Sequence, residues 1–161
     1  MKIFLPLFII IIFGFIGYAY KSKLNNEYQF LKYINSFYEY YVANLALFKN
    51  NIVEIIDKYI IMQNNKNAKY NKIFIKNNNL YNFDKEFLQN NISNKLVSDY
   101  LFSYLKNIGT NEYEYEKEKN NEFKIYLNSK IYECDTKIKT DGNLYFKLLL
   151  SIGAVVAILL W

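Results

Sequence analysis

Two apolar runs, one at each end, set the strongest limits on what this chain can fold into. Ile3–Tyr20 reads IFLPLFIIIIFGFIGYAY, 18 residues without a charge. As a helix, that length meets the lower end of what a hydrocarbon core of about 30 Å requires. Pro6 falls in the first turn, where its missing N–H costs little, and Gly14 and Gly17 permit close helix packing. A cleaved leader is the rival reading. It wants a small-x-small cleavage site, and Gly17-Tyr18-Ala19-Tyr20 is too bulky, so a retained anchor is expected.

The other run, Leu144–Trp161, reads LYFKLLLSIGAVVAILLW and is broken only by Lys147. Counted from Leu148 it has 14 residues, which at about 1.5 Å each is shorter than a bilayer core. Lys147 can snorkel toward the headgroups and bring Leu144–Phe146 into the span, with Trp161 as an interfacial anchor and Gly153 as a small packing position. The alternative is a buried C-terminal core helix. A core helix needs a polar stripe on its far side, and this run has no polar residue beyond Ser151, so a second membrane helix is expected.

The lysines beside each run predict the orientation. Lys21, Lys23 and Lys32 follow the first, Lys137, Lys139 and Lys147 attend the start of the second, and nothing basic follows it. The positive-inside rule then puts residues 21–143 in the cytoplasm and both termini outside, giving three segments: 1–20, 21–143 and 144–161.

Composition removes most chemistry. The 161 residues include no His, no Arg and a single cysteine, Cys134, so His-ligated metal sites, His-dependent nucleophiles and intrachain disulfides are excluded. Asn, Ile, Lys, Tyr and Phe make up more than half of the chain and share AT-rich codons, which points to a low-GC genome. The net charge of +5 therefore carries little weight as a nucleic-acid signal, the more so without Arg for bidentate contacts. No nucleic-acid partner, small-molecule substrate, cofactor or metal is expected.

The middle reads as helices. Apolar residues at Phe30, Ile34, Phe37, Tyr41, Leu45, Phe48, Ile52, Ile55, Tyr59 and Met62 keep gaps of three and four, predicting one helix from near Leu24 to the polar stretch Gln63–Asn67. Ile73-Phe74-Ile75 is ambiguous and reads as a single turn tucked into the core. A second stripe runs from Phe87 or Leu88 through Ile92, Leu96 or Val97, Tyr100 or Leu101, and Tyr104 or Leu105 to Ile108, with Gly109 as its stop. Asn111 and Glu114 then form a capping box for a third helix carrying Phe123, Leu127, Ile131, Cys134 and Ile138, which Gly142 bends before the second span. The expected class is all-α: a helical bundle held at both ends to one membrane.

Glu112, Glu114, Glu116 and Glu118 are the strongest acidic feature, and Glu112 and Glu116 share a helix face. The positive end of a helix dipole accounts for them more simply than acid–base chemistry or a metal. Cys134 lies on an apolar stripe and reads as a small core residue, Glu39 as an exposed charge, and the 17 tyrosines as packing. No catalytic residue is expected.

This architecture resembles one bacterial family, stage III sporulation protein AB. Its Leu-Gly turn, followed by x-x-Asp and then Gln four residues later, is similar to Ile108, Gly109, Glu112 and Glu116 here. The following helix, with Leu127, stays in register without a gap as far as a terminal Leu-Gly-x-x-x-Gly motif, matched by Leu148 and Gly153, with Leu149 in place of the first Gly. Gly14-Phe15 resembles a common family pair, and Glu39 stands for the Glu of a helix motif. Leu47 takes the Leu of a Thr-Pro-Leu turn whose first two residues are replaced by Leu45-Ala46, so the helix is expected to continue there.

The resemblance implies a non-enzymatic platform protein with a bundle like that of the type II secretion inner-membrane platform. It implies the mother-cell membrane around the forespore, and partners among the other stage III sporulation proteins, including a secretion-type ATPase. Glu39, Gly109, Glu112, Glu116 and Leu127 are then candidate contact or motif positions, and Gly14, Gly17 and Gly153 candidate membrane-packing positions. A small membrane scaffold, or a C-terminally anchored secreted protein unrelated to sporulation, is the alternative.

Overall fold

The computed structural model describes residues 4–44, 52–63, 67–77, 80–108 and 113–159. Among them are six α-helices: α1 Phe4–Asn44, α2 Ile52–Gln63, α3 Lys85–Asn91, α4 Lys95–Lys106, α5 Tyr113–Lys137 and α6 Asn143–Leu159. A 3-10 turn, Ala68–Ile73, leads into two short antiparallel strands, β1 Phe74–Asn77 and β2 Leu80–Phe83, and a π turn, Ile138–Gly142, joins α5 to α6. The fold is all-helical apart from that hairpin, with a long apolar helix at each end. It divides into two compact units, Met1–Tyr28 with Ile131–Trp161, and Gln29–Lys130.

The second unit is built on the stripe of α1. Phe30, Ile34, Phe37 and Tyr41 are buried, as the spacing predicts, and Leu31, Tyr33 and Tyr38 are buried beside them. Burying each such side chain stabilises the fold by about 1.5–3 kcal/mol. Ile55, Ile56 and Tyr59 of α2 complete the layer.

The single helix expected from Leu24 to Gln63 is two helices. The Tyr59 hydroxyl donates to the Tyr33 carbonyl, 26 residues back, at 3.1 Å. In one continuous helix those residues would stand about 39 Å apart. α2 therefore packs back against α1. Leu45, Ala46 and Leu47 lie outside the described residues.

A turn tucked into the core was also expected at Ile73-Phe74-Ile75: Ile73 closes the 3-10 turn and is buried, whereas Phe74 and Ile75 begin a strand. Phe74 pairs with Phe83 and Lys76 with Tyr81. The aromatic and β-branched residues that made this stretch ambiguous suit a pleated surface with one buried face, and Phe74 is its buried member.

The stripe from Phe87 to Ile108 likewise breaks in two. Asp84 caps α3 by accepting from the Phe87 N–H at 2.9 Å, and Asn94 caps α4 by accepting from Leu96 and Val97. Ile92 is extended, which ends α3. Each either-or position is settled by burial: Leu88, Val97, Leu101 and Leu105 are buried, whereas Leu96 and Tyr100 are exposed. Gly109, Asn111 and Glu112 lie outside the described residues.

The first unit is an antiparallel pair made by α6 and the first part of α1. Tyr20 packs on Tyr145 with ring centroids 5.1 Å apart, and Lys21 Nζ donates to Asn143 Oδ1 at 2.8 Å. A Cβ added at Gly17 would sit 3.1 Å from Phe146 Cα, and one at Gly153 would sit 3.0 Å from Phe13 Cβ. Contacts that step back along α1 thus step forward along α6. Gly142 of the π turn packs beside Lys21 and Leu24. The apolar windows of α1 and α6 are only 6% and 17% buried, and both helices are long and apolar enough to cross a membrane. Leu7, Phe8, Phe15, Ile158 and Leu159 form their exposed apolar surface.

Candidate functional site

The second unit holds a cleft between α4 and α5. Its floor begins with aromatic packing: the Tyr104 ring stacks on Phe123 at 3.6 Å between centroids, 5° from parallel. The Tyr104 hydroxyl donates to Asn120 Oδ1, and the buried Tyr38 hydroxyl donates to the Asn120 carbonyl at 2.6 Å. Burial, and then the Glu39 carboxylate, push the Tyr38 phenol up to about 12, so it stays a neutral donor. Asn120 is 5% exposed, and its Nδ2 has no protein partner.

The cleft above measures about 270 Å³ and is lined by Tyr100, Ser103, Tyr104, Asn107, Ile108, Lys119, Asn120 and Glu122. That is just below the range of about 300–1,000 Å³ typical of small-molecule sites. Lys119 and Glu122 bring opposite charges to its lining, and its floor offers neutral hydrogen bonding.

The residues singled out from sequence do not converge here. Glu39 is exposed on α1, with Oε1 accepting from Asn35 Nδ2 at 3.2 Å. Glu116 falls in the first turn of α5, while Gly109 and Glu112 lie outside the described residues. Leu127 is fully buried, so its side chain packs the core and is not available to a partner. Gly14, Gly17 and Gly153 all lie where α1 and α6 meet.

Cys134 is buried, with Sγ 3.7 Å from the Leu24 carbonyl, and burial followed by the Glu27 carboxylate pushes its thiol up to about 11. It is a protonated, unreactive thiol at neutral pH. Among the described residues no group of three or more His, Cys, Asp or Glu side chains is placed to hold a metal ion.

Two features escaped the sequence reading. Asn120 is one asparagine among 23, and nothing local separates it from the exposed ones. Asp57 of α2 accepts from Tyr81 and from Lys76, tying α2 to the hairpin. The Tyr81 hydroxyl and the Lys76 ammonium hold the Asp57 carboxyl below its ordinary range. The sequence signal was the pairing of Lys76 with Tyr81 across a hairpin, legible only once the strands are known.

These features define a small, predominantly helical protein with two helices, one near each end, long and apolar enough to cross a membrane. Compared with protein-family models, curated proteins and solved structures, the chain matches none of them.

Proposed function

We propose that this chain is a non-enzymatic membrane platform subunit of the secretion-like complex linking mother cell and forespore. Its partners on this reading are other stage III sporulation proteins, including a secretion-type ATPase. The carrying observation is the antiparallel pairing of α1 with α6, Gly17 against Phe146 and Gly153 against Phe13. If both helices cross the membrane, that pairing brings the chain between them out on one side. The flanking lysines make that side the cytoplasm, and the mother-cell membrane around the forespore is the membrane implied.

The cleft beside Asn120 is a docking surface on this reading, at the end of α5 that carries Glu116. The test is cysteine labelling at Asn78 in a Cys134→Ser background, with crosslinking during spore formation. Protection in intact cells together with capture of a secretion-type ATPase is the expected result. Labelling from outside overturns the topology, and protection without any sporulation partner overturns the sporulation role. If Gly109→Val with Glu112→Lys leaves assembly and spore yield unchanged, the motif positions have no part in docking.

A further inference from the structure

α6 presents three different sides. One line of it meets α1: Gly17 and Gly14 lie against Phe146, Leu149 and Leu150, and Gly153 lies against Phe13. At about 100° per residue, Leu148, Ile152 and Leu159 fall on the far side, and all three are exposed. Asn143, Lys147, Ser151 and Ile158 share a flank about 100° around from the α1 line, with Ala154 among them.

That flank is where α6 carries its charge. Lys147 is the one charged residue in Leu144–Trp161, it is exposed, and among the described residues its ammonium has no partner. Its neighbours are already engaged. Lys21 Nζ donates to Asn143 Oδ1, Asn143 Nδ2 donates to the Lys139 carbonyl, and Lys139 pairs with Asp135. Asp141 accepts from the Thr140 hydroxyl and stands about 9 Å before Lys147 along the helix axis.

Hydrocarbon solvates an ammonium poorly, so a lysine within an apolar span ordinarily faces another helix and pairs there. Lys147 can instead send its head out to the lipid headgroups. Snorkelling does not account for what lies deeper on the same flank. Ser151 and Ala154 stand about 6 and 10 Å further into the apolar stretch, beyond the headgroups. A surface that meets only lipid has no use for small residues there, and the far side of α6 carries leucine and isoleucine instead. Small and hydroxyl side chains at that depth let a second helix approach closely. The Ser151 hydroxyl is already satisfied by the Lys147 carbonyl at 2.9 Å, which leaves the ammonium as the group still to be matched.

We propose that this flank of α6 docks a membrane-spanning helix of a different protein, which brings an Asp or Glu carboxylate to Lys147 and packs over Ser151 and Ala154. A second copy of this chain does not satisfy the flank. It adds another Lys147 and has no Asp or Glu in Ile3–Tyr20 or Leu144–Trp161. The proposal rests on α1 and α6 crossing a membrane and is independent of any role in sporulation.

The experiment uses the full chain in the cells that make it. Alkaline carbonate extraction first asks whether it is an integral protein; release into the soluble fraction overturns the membrane reading itself. The photocrosslinker p-benzoylphenylalanine then replaces Ile158 or, separately, Leu159, two large exposed residues at one depth on different sides of α6. Position 158 is expected to give an adduct with a membrane protein that has an Asp or Glu in a spanning helix, and position 159 is expected to give none. With the crosslinker at 158, Lys147→Gln is expected to lower the adduct yield about fivefold, and Lys147→Arg to retain it, at equal accumulation by immunoblot. In an integral protein, four results overturn the docking flank and leave the membrane reading intact. They are no adduct at 158, equal adducts from both positions, a yield unchanged by Lys147→Gln, and a captured partner whose spans hold no acidic residue. An adduct between two copies of this chain assigns the flank to self-association and also overturns the proposal.

Discussion

Tyr59 and Tyr33 meet twice, through a hydroxyl-to-carbonyl hydrogen bond at 3.1 Å and through rings 5.5 Å apart. That pair fastens α2 onto α1 and defines the reversal on which the second unit depends. Tyr59→Phe keeps the ring and loses the hydrogen bond, and is expected to cost about 1 kcal/mol. Tyr59→Ala empties a fully buried site and is expected to cost about 3–5 kcal/mol. Denaturant unfolding of the purified chain, followed by far-UV circular dichroism, separates the two.

The same ring cluster makes stability sensitive to alkali. Burial pushes Tyr59 up to about 12, and burial and then Tyr59 raise Tyr33 further. The phenols are neutral in both states below pH of about 10, so their contribution to stability is flat there. Above it the unfolded chain loses phenolic protons that the folded chain keeps. The unfolded state then binds fewer protons, and stability falls with rising pH as far as the raised values. A pH titration of Tm is expected to be level from 7 to about 9 and to fall steeply beyond about 10. A slope that begins near neutrality contradicts the assignment.

The three glycines between α1 and α6 are not equivalent. A Cβ at Gly14 would meet Leu150 at 3.5 Å, an ordinary contact, whereas one at Gly17 meets the Phe146 backbone at 3.1 Å. Gly14→Ala is expected to be neutral or stabilising by about 0.5 kcal/mol, since alanine is the better helix former. Gly17→Leu and Gly153→Leu must push the helices apart and are expected to lower stability by about 1–3 kcal/mol. Thermal unfolding in one detergent ranks the three; equal effects would mean that the helices do not pack as described.

The break between α3 and α4 depends on Asn94. Its Oδ1 accepts from Leu96 at 2.9 Å and from Val97 at 3.4 Å. Asn94→Ala is expected to cost about 1 kcal/mol and Asn94→Ser much less, because Ser also caps well. Equal unfolding midpoints for the two variants would remove the cap from the account.

Periodicity located the buried faces far better than it located the helix ends. Phe30, Phe37, Ile55 and Tyr59 all lie in the core, yet the stripe stayed in phase from Tyr41 to Ile52, so the reversal left no trace in the spacing. The hairpin escaped because strands of four residues give alternation too little room.

The caps at Asp84 and Asn94 were legible in principle, each standing just before a helical stripe. The cleft was not, because Asn120 acquires meaning only when Tyr38 and Tyr104 reach it from 82 and 16 residues away.

The π turn at Ile138–Gly142 governs where length variation can be absorbed. Cys134 and Gly142 are both buried, but a spacing of eight residues would set them about 80° apart around a uniform α-helix. The bulge takes up one residue, leaving an effective spacing of seven and a mismatch of about 20°. Deleting one residue inside the bulge would convert it to plain α-helix and keep Gly153 and Ala157 on the buried side. A deletion a few residues later would swing α6 through about 100° and turn its exposed apolar side inward. The bulge is therefore a place in the last third of the chain where a one-residue deletion could be inherited without loss of facing.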